Sequence, residues 1–269
     1  MVARPLARKE NRFLRKGTRE CGMRSSALVV AISSMLFLAP IQARAEAEFD
    51  MDIIETVQGP LEITFIGHGT LMFVFKGKVI HVDPVSREAD YAKMDKADLI
   101  LITHEHRDHL DPQAIGLVST EKTAIVLTEV CARQISGGTV MKNGEVRNLQ
   151  GFRIEAVPAY NLVHMRRPGV PFHPKGMGNG YVITFGKKRV YVAGDSENVP
   201  EMKKLEKIDI AFLPMNLPYT MTPEMVADAA KAFRPAILYP YHFGQTDTSR
   251  LLELLKGADE VEVRIRKMQ

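Results

Sequence analysis

The chain has 269 residues, 45% of them hydrophobic and 25% charged, with 19 glycines, 15 prolines and two cysteines. This composition excludes a collagen-like fibre, a disulfide scaffold and disorder throughout, and the length suits one large domain or two small ones. The formal net charge of +4 belongs to the first 45 residues, which hold nine Lys or Arg and two acids, whereas residues 46–269 keep 27 basic and 30 acidic side chains. A slightly acidic body without a basic run does not track a phosphate backbone, so no nucleic-acid partner is expected.

In chain order, the first feature is a leader. Arg12, Arg15, Lys16, Arg19 and Arg24 precede an apolar run of about 13 residues, Ala27 to Ala39, and Ala43-Arg44-Ala45 has the small-x-small pattern cut by signal peptidase. The run is shorter than the roughly 20 residues of a spanning helix. Residues 1–45 are therefore expected to be a secretory signal peptide, with translation starting at Met1 or at Met23. The mature chain, 46–269, is expected to be periplasmic or secreted, without a stable membrane anchor. Cleavage removes Cys21 and leaves Cys131, so no internal disulfide can form.

Short β-rich runs follow at Leu61–Ile66, Leu71–Phe75 and Lys78–Val82, punctuated by Gly67, Gly69 and Gly77, as in a meander of hairpins. From Asp98 onward strands and helices alternate. The pattern predicts strands at Leu99–Ile102 and Ala124–Leu127, with helices near Pro112–Val118 and Glu129–Ile135. Later strands are predicted at Arg153–Val157, Gly180–Phe185, Arg189–Ala193, Ile208–Phe212 and Ala236–Tyr239, with a closing strand near Val261–Ile265. Thr222 as cap, Pro223 at the first helical position and Glu224 in the first turn mark a helix running to about Phe233. A strand-rich half followed by alternating elements implies an α+β fold, two sheets packed face to face with helices outside, a four-layer αββα sandwich.

The chemistry is concentrated at His104-Glu-His106-Arg-Asp108-His109, immediately after the apolar run Leu99–Ile102. A strand end is a rigid place from which to project ligands, and imidazoles with a carboxylate suit zinc and its neighbours in the divalent series. In an extended segment His104 and His106 share a face, while Asp108 and His109 beyond the turn reach a second, adjacent site. Two further candidates also follow strands: Asp195 in Gly194-Asp195-Ser196 and His242 in Tyr241-His242-Phe243. Each is ambiguous alone and gains meaning beside the histidine cluster. Ser119 and Ser196 belong to no Ser–His–Asp arrangement.

These motifs resemble the metallo-β-lactamase superfamily over essentially residues 59–245. Gly67-His68-Gly69-Thr70, Val82-Asp83-Pro84, Pro158-Ala-Tyr-Asn161, Phe172-His-Pro-Lys-Gly176 and Tyr219-Thr-Met-Thr-Pro223 look most like its ascorbate-6-phosphate-lactonase-like branch of metal-dependent hydrolases. The resemblance implies the αββα fold and two divalent ions, most often zinc, sometimes manganese or iron. His104, His106, Asp108, His109, Asp195 and His242 carry over as ligands, with Asp195 bridging the ions. A further ligand histidine is usual near the end of the strand at Arg153–Val157, where this chain departs from the pattern. His173 is favoured because a small-residue run follows it, with His164 and Asn161 as alternatives. His68 is placed near the metals or the substrate, and Asp83 is expected to hold a ligand histidine through its other ring nitrogen. Lys175, Tyr219, Tyr241 and Asn161 are candidate pocket residues, and His81 a structural strand residue.

The implied activity is hydrolysis of an ester, lactone or phosphodiester bond in a small-molecule substrate. Two ions lower the pKa of a bound water and polarise the electrophile, and Asp108 orients the resulting hydroxide and takes its proton. The motif ends in His109 and the wider resemblance points away from a true β-lactamase. The alternatives are a di-iron oxidoreductase on the same scaffold and a non-catalytic exported metal-binding protein.

Overall fold

The computed structural model describes residues 49–268. The expected leader, residues 1–45, lies outside the described residues. The first sheet is built in chain order from β1 (Asp50–Ile54), β2 (Leu61–Gly67), β3 (Thr70–Phe75), β4 (Lys78–Val82), β5 (Leu99–Leu101), β6 (Ala124–Leu127) and β7 (Thr139–Val140). Its first four strands pair antiparallel and the remainder parallel. The second sheet uses β8 (Val146–Leu149), β9 (Phe152–Ala159), β12 (Gly178–Phe185), β13 (Lys188–Val192), β14 (Ile210–Pro214), β15 (Ile237–Tyr241) and β16 (Glu262–Val263). It repeats the scheme, antiparallel from β8 to β13 and parallel from β13 to β16. Between β9 and β12 a small hairpin, β10 (Met165–Arg167) with β11 (Val170–Pro171), stands apart from both sheets.

The period-2 pattern explains the layering. Leu61, Ile63 and Phe65 of β2 alternate with half-buried residues and turn into the space between the sheets, where they join Phe73, Phe185, Phe212 and Tyr239. Phe65 and Tyr239 lie 4.9 Å apart and Phe73 and Phe185 5.5 Å apart by ring centroids, so the two sheets meet through aromatic contacts. On β5 and at the residue after it, Leu99 and Leu101 face this core, whereas Ile100 and Ile102 face outward into a second cluster with Ala114, Ile115 and Val118 of α1 (Pro112–Val118). The outer face of the other sheet is covered by α2 (Pro200–Lys203), α3 (Pro223–Phe233) and α4 (Ser249–Leu254), with Phe233 packed edge-on against Tyr191 of β13. The result is the four-layer αββα sandwich.

The marked helix start behaves as its chemistry dictates: the Thr222 hydroxyl accepts the Met225 N–H at 3.1 Å, and Pro223 occupies the first turn. Two expectations are corrected. The segment Glu129–Ile135 forms only a 3-10 turn at Cys131–Arg133, since Thr128 binds both the Cys131 N–H and its Sγ and closes the chain tightly there. The closing strand shortens to Glu262–Val263, because the chain beyond turns Arg264 and Arg266 towards Asp52. In the parallel half of each sheet the carboxyl ends of the strands share one edge, the usual position of a binding crevice in such sheets. The loops after β4, β5, β13 and β15 all emerge there.

Candidate metal centre

Asp195, in the turn after β13, is the centre of the constellation. Its Oδ2 lies 3.3 Å from His173 Nε2 and 3.9 Å from His104 Nε2. Its Oδ1 lies 3.3 Å from His109 Nε2 and 3.5 Å from His242 Nε2. His106 Nδ1 stands 3.1 Å from His104 Nε2 and 3.2 Å from His173 Nε2, so three imidazole nitrogens converge on the Oδ2 side. On the Oδ1 side the Asp108 Oδ2 lies 3.5 Å from His242 Nε2 and 3.9 Å from His109 Nε2. His104, His106 and His173 form one group whose donor atoms lie within 4.8 Å of one another; His104, His109 and Asp195 form another, and His68, Asp108 and His242 a third.

These spacings suit a cation. Tetrahedral zinc with Zn–N near 2.0–2.1 Å sets its ligand atoms about 3.4 Å apart. The buried His109 Nε2, His242 Nε2 and Asp195 Oδ1 have no hydrogen-bond partner among the described residues, a costly state for lone pairs unless a positive ion lies between them.

The supporting hydrogen bonds fix which ring nitrogen faces inward. Asp83, fully buried after β4, accepts from His109 Nδ1 at 2.8 Å, from the Thr103 N–H at 2.8 Å and from the Thr103 hydroxyl at 2.6 Å. Thr103 Oγ1 is also 3.0 Å from His104 Nδ1, which leaves Nε2 of both histidines for the centre. Asn161 does the same for His173: its Oδ1 accepts from the His173 backbone N–H at 2.7 Å and from Nδ1 at 2.8 Å. Its own amide donates to Glu197 and to the Tyr219 carbonyl. Glu197 in turn accepts the N–H groups of Leu162, Val163 and His164, and so organises the whole loop.

Local backbone strain accompanies this arrangement. His68, Asp83 and His242 all lie in the left-handed region, with φ of 50°, 46° and 47°. The His68 carbonyl accepts the His242 N–H at 2.9 Å, tying the β2–β3 turn to the end of β15, and the two rings sit 3.7 Å apart. Gly69 is required by close approach: a Cβ there would lie 2.6 Å from His109 Cε1 and 3.3 Å from His242 Cδ2.

Electrostatics follow from burial and proximity. Burial and the neighbouring His109, His173 and His106 hold the His104 imidazole well below its ordinary value. For Asp195 burial opposes ionisation, but His242, His109, His173 and His104 outweigh it and hold the carboxyl well below the usual range. Asp108 is likewise held low, against burial, by His242, His68 and His109. Burial disfavours the charged His109 ring, yet Asp195, Asp83 and Asp108 raise it to about 9.

Above the centre opens a cavity of about 640 Å³, lined by His68, His106, Asp108, His173, Asp195 and His242 together with Arg87, Arg107, Arg166, Phe172, Asn216 and Tyr219. Asp108, a third exposed, receives His68 Nε2 at 3.2 Å and faces this space. Of the pocket candidates, Tyr219 is on the wall, with its ring 5.0 Å from Phe172. The others are corrected. Lys175 is outside the cavity lining, held by Glu201 at 2.8 Å and Tyr160 at 3.2 Å. Tyr241 is buried beneath the centre, and Asn161 braces His173 instead of facing substrate. His164 turns away to Glu197 at 2.7 Å, so His173 is the histidine that joins His104 and His106. His81 is buried in β4, with Nε2 3.0 Å from the Asp95 carbonyl. Sequence reasoning missed Thr103, Glu197 and the three arginines. Thr103 had a legible signal, as the polar residue between an apolar strand and the first ligand.

Fold and centre together define a class: an αββα sandwich with a His/Asp metal site across the strand ends of its two sheets. The chain matches the β-lactamase superfamily domain model over residues 62–242 and belongs to the metallo-β-lactamase superfamily. It is 27% identical over 221 residues to a UPF0173 metal-dependent hydrolase of Pelotomaculum thermopropionicum, covering 76% of this chain and 96% of that one. To the corresponding protein of Ligilactobacillus salivarius it is 30% identical over 202 residues, covering 68% and 85%. Among solved structures it resembles one from Parabacteroides distasonis assigned to the metal-dependent hydrolases, with TM-score 0.79, 49% identity and coverage of 82% and 100%. A metallo hydrolase from the archaeon Ignicoccus hospitalis gives TM-score 0.62 at 26% identity, covering 76% and 94%. The chain thus falls among the metal-dependent hydrolases.

Proposed function

We propose that the chain hydrolyses an ester, lactone or phosphodiester bond with two divalent ions, zinc the best match to its imidazole-rich donors. The observation that carries this reading is Asp195, whose two carboxylate oxygens each face a separate set of nitrogen donors. His104, His106 and His173 would hold one ion, Asp108, His109 and His242 the other, with Asp195 between them. Such a pair supplies Lewis acidity and lowers the pKa of a water towards neutrality.

The chain's own contribution is orientation. Asp83, Thr103 and Asn161 fix the ring nitrogens, so the donors are set before substrate arrives. Asp108 is held as a carboxylate and is partly open to the cavity, which suits it to accept a hydrogen bond from the attacking water and orient it. His68 donates to Asp108 and fixes the direction of that carboxylate. Ser196 binds the Tyr160 N–H and the Glu197 carbonyl, a loop-holding role that leaves it no part as nucleophile.

The test is metal loading followed by hydrolysis of γ-butyrolactone and bis(p-nitrophenyl) phosphate, by the native chain and by Asp108→Ala. The reading expects turnover by the native chain and its loss in the variant; full turnover by the variant would contradict the role of Asp108. The leader pattern supports export of the mature chain. N-terminal sequencing of protein from fractionated cells should find Glu46 first in the exported fraction; an intact leader on a cytoplasmic protein would refute this.

A further inference from the structure

Ten large apolar side chains are exposed among the described residues, and five of them flank the cavity on two adjoining loops: Leu162, Val163 and Met165 on the segment that opens β10, and Leu217 and Tyr219 after β14. They are 39–63% exposed, Val163 most of all. The loops are held to each other, since the Asn161 amide donates to the Tyr219 carbonyl at 2.9 Å and the Phe172 ring meets Tyr219 edge-on at 5.0 Å. Glu197 accepts the N–H groups of Leu162 and Val163, so these side chains stand on a fixed backbone. Single exposed apolar residues are ordinary, whereas a group gathered at one cavity mouth marks a contact surface.

The charge of this rim identifies its partner. Residues 162–177 hold Arg166, Arg167 and Lys175 and no acid, and residues 215–221 hold no charge, on a body (residues 46–269) with 27 basic and 30 acidic side chains. Arg166 lies over the Phe172 ring at 5.8 Å and Arg167 is exposed beside it; neither has a carboxylate in ion-pair range among the described residues. A second copy docked here about a two-fold axis would bring these arginines together with no acid to pair them. Apolar tips backed by arginines and a tyrosine instead match the boundary of a bilayer: the tips enter the acyl region, the tyrosine ring sits at headgroup level and the guanidinium groups meet lipid phosphates. We propose that this rim docks the chain reversibly on an anionic phospholipid surface, with the mouth of the metal cavity turned towards the lipid. The contact goes beyond the hydrolase reading and stands without it.

The experiment uses the metal-loaded chain, freed of excess ions, and sucrose-loaded vesicles of phosphatidylcholine alone or equimolar with phosphatidylglycerol. A basic side chain near an anionic surface contributes roughly fivefold in affinity, so the two arginines should give about 25-fold tighter cosedimentation with the mixed vesicles, weakening as salt is raised. Arg167→Gln should lose about fivefold. Val163→Ser/Met165→Ser should lose on the order of tenfold for each side chain no longer withdrawn from water. Both positions are exposed, and unfolding curves check that each variant folds. The chain has no tryptophan, so Val163→Trp supplies a single reporter, which brominated phosphatidylcholine in the mixed vesicles should quench, while the indole of Leu252→Trp on the outer helix α4 should stay unquenched. This pair separates the rim from contacts made by residues 1–45. Failure of the native chain to favour the anionic vesicles overturns the proposal and leaves an acidic protein surface as the occupant of the rim. Binding that both rim variants retain, or equal quenching at the two reporter positions, overturns it as well.

Discussion

Replacing Asp83 by Asn probes how the centre is held, because the change keeps the shape of the side chain and alters its hydrogen bonding alone. The left-handed backbone at residue 83, φ 46°, is one that Asn tolerates, so no backbone cost is added. In the native chain one carboxylate oxygen accepts the Thr103 N–H, and the other accepts the Thr103 hydroxyl and His109 Nδ1–H. Asn has a single acceptor oxygen. Whichever way its amide is turned, an NH2 group faces a buried donor. One unsatisfied buried group costs about 1–3 kcal/mol, so the variant should unfold at correspondingly lower denaturant concentration. His109 also loses the acceptor that fixes its tautomer, and loss of such a partner lowers metal affinity by ~10- to 100-fold. Competition with a chromophoric chelator should show one weakened metal equivalent, that held by Asp108, His109 and His242, and one near native strength. Native affinity for both, or equal weakening of both, would refute the assignment of Asp83 to His109.

Gly69→Ala should weaken the same metal equivalent, since the new methyl would press on His109 and His242; calorimetric metal titration measures it. Asn161→Ala should weaken the other one, held by His104, His106 and His173, again by ~10- to 100-fold, because His173 loses two hydrogen bonds to the amide oxygen. The metal-free chain should take up metal more weakly as pH falls below about 9, where His109 holds its proton, and calorimetry in buffers of different ionisation enthalpy should detect the proton released. Asp52 joins β1 to the C-terminal segment through Arg266, at 2.7 Å to both oxygens, and through Tyr239. Burial opposes its ionisation, but Tyr239 and Arg266 together hold its carboxyl below the usual range. The sign follows: this stabilisation is complete above the unfolded value near 3.9, and is lost as pH falls through the lower folded value. Asp52→Asn should accordingly be less stable than the native chain by about 1–3 kcal/mol at pH 7, with the gap closing in strong acid.

Much of the architecture was legible because local signals agreed. The strands Lys78–Val82 and Ala124–Leu127 and the helix Pro112–Val118 match their sequence bounds, each marked by apolar pattern and flanking breakers. β1 was missed because Asp50-Met-Asp-Ile-Ile54 is an edge strand with acids on alternate positions, stabilised by Arg266 more than two hundred residues away. The hairpin of β10 and β11 was missed for a related reason: Met165, Arg166 and Arg167 are exposed, and no core imposes periodicity on them. The ligands after β5 were legible from spacing within one segment. The choice of His173 over His164 was legible only through the small-residue run that follows it; its physical cause, Glu197 claiming one ring and Asn161 the other, lies in contacts distant in sequence. The arginines were invisible as a group because they are far apart in sequence and meet only at the cavity wall.

The central claim is that paired cations across Asp195 make this chain a hydrolase, and the most direct test is to titrate metal-free protein with zinc or manganese while following hydrolysis. The account predicts that lactone or phosphodiester turnover appears as the metal content measured by mass spectrometry approaches two ions per chain, and that Asp195→Ala prevents it. A chain that holds two ions and cleaves none of these bonds would contradict the account.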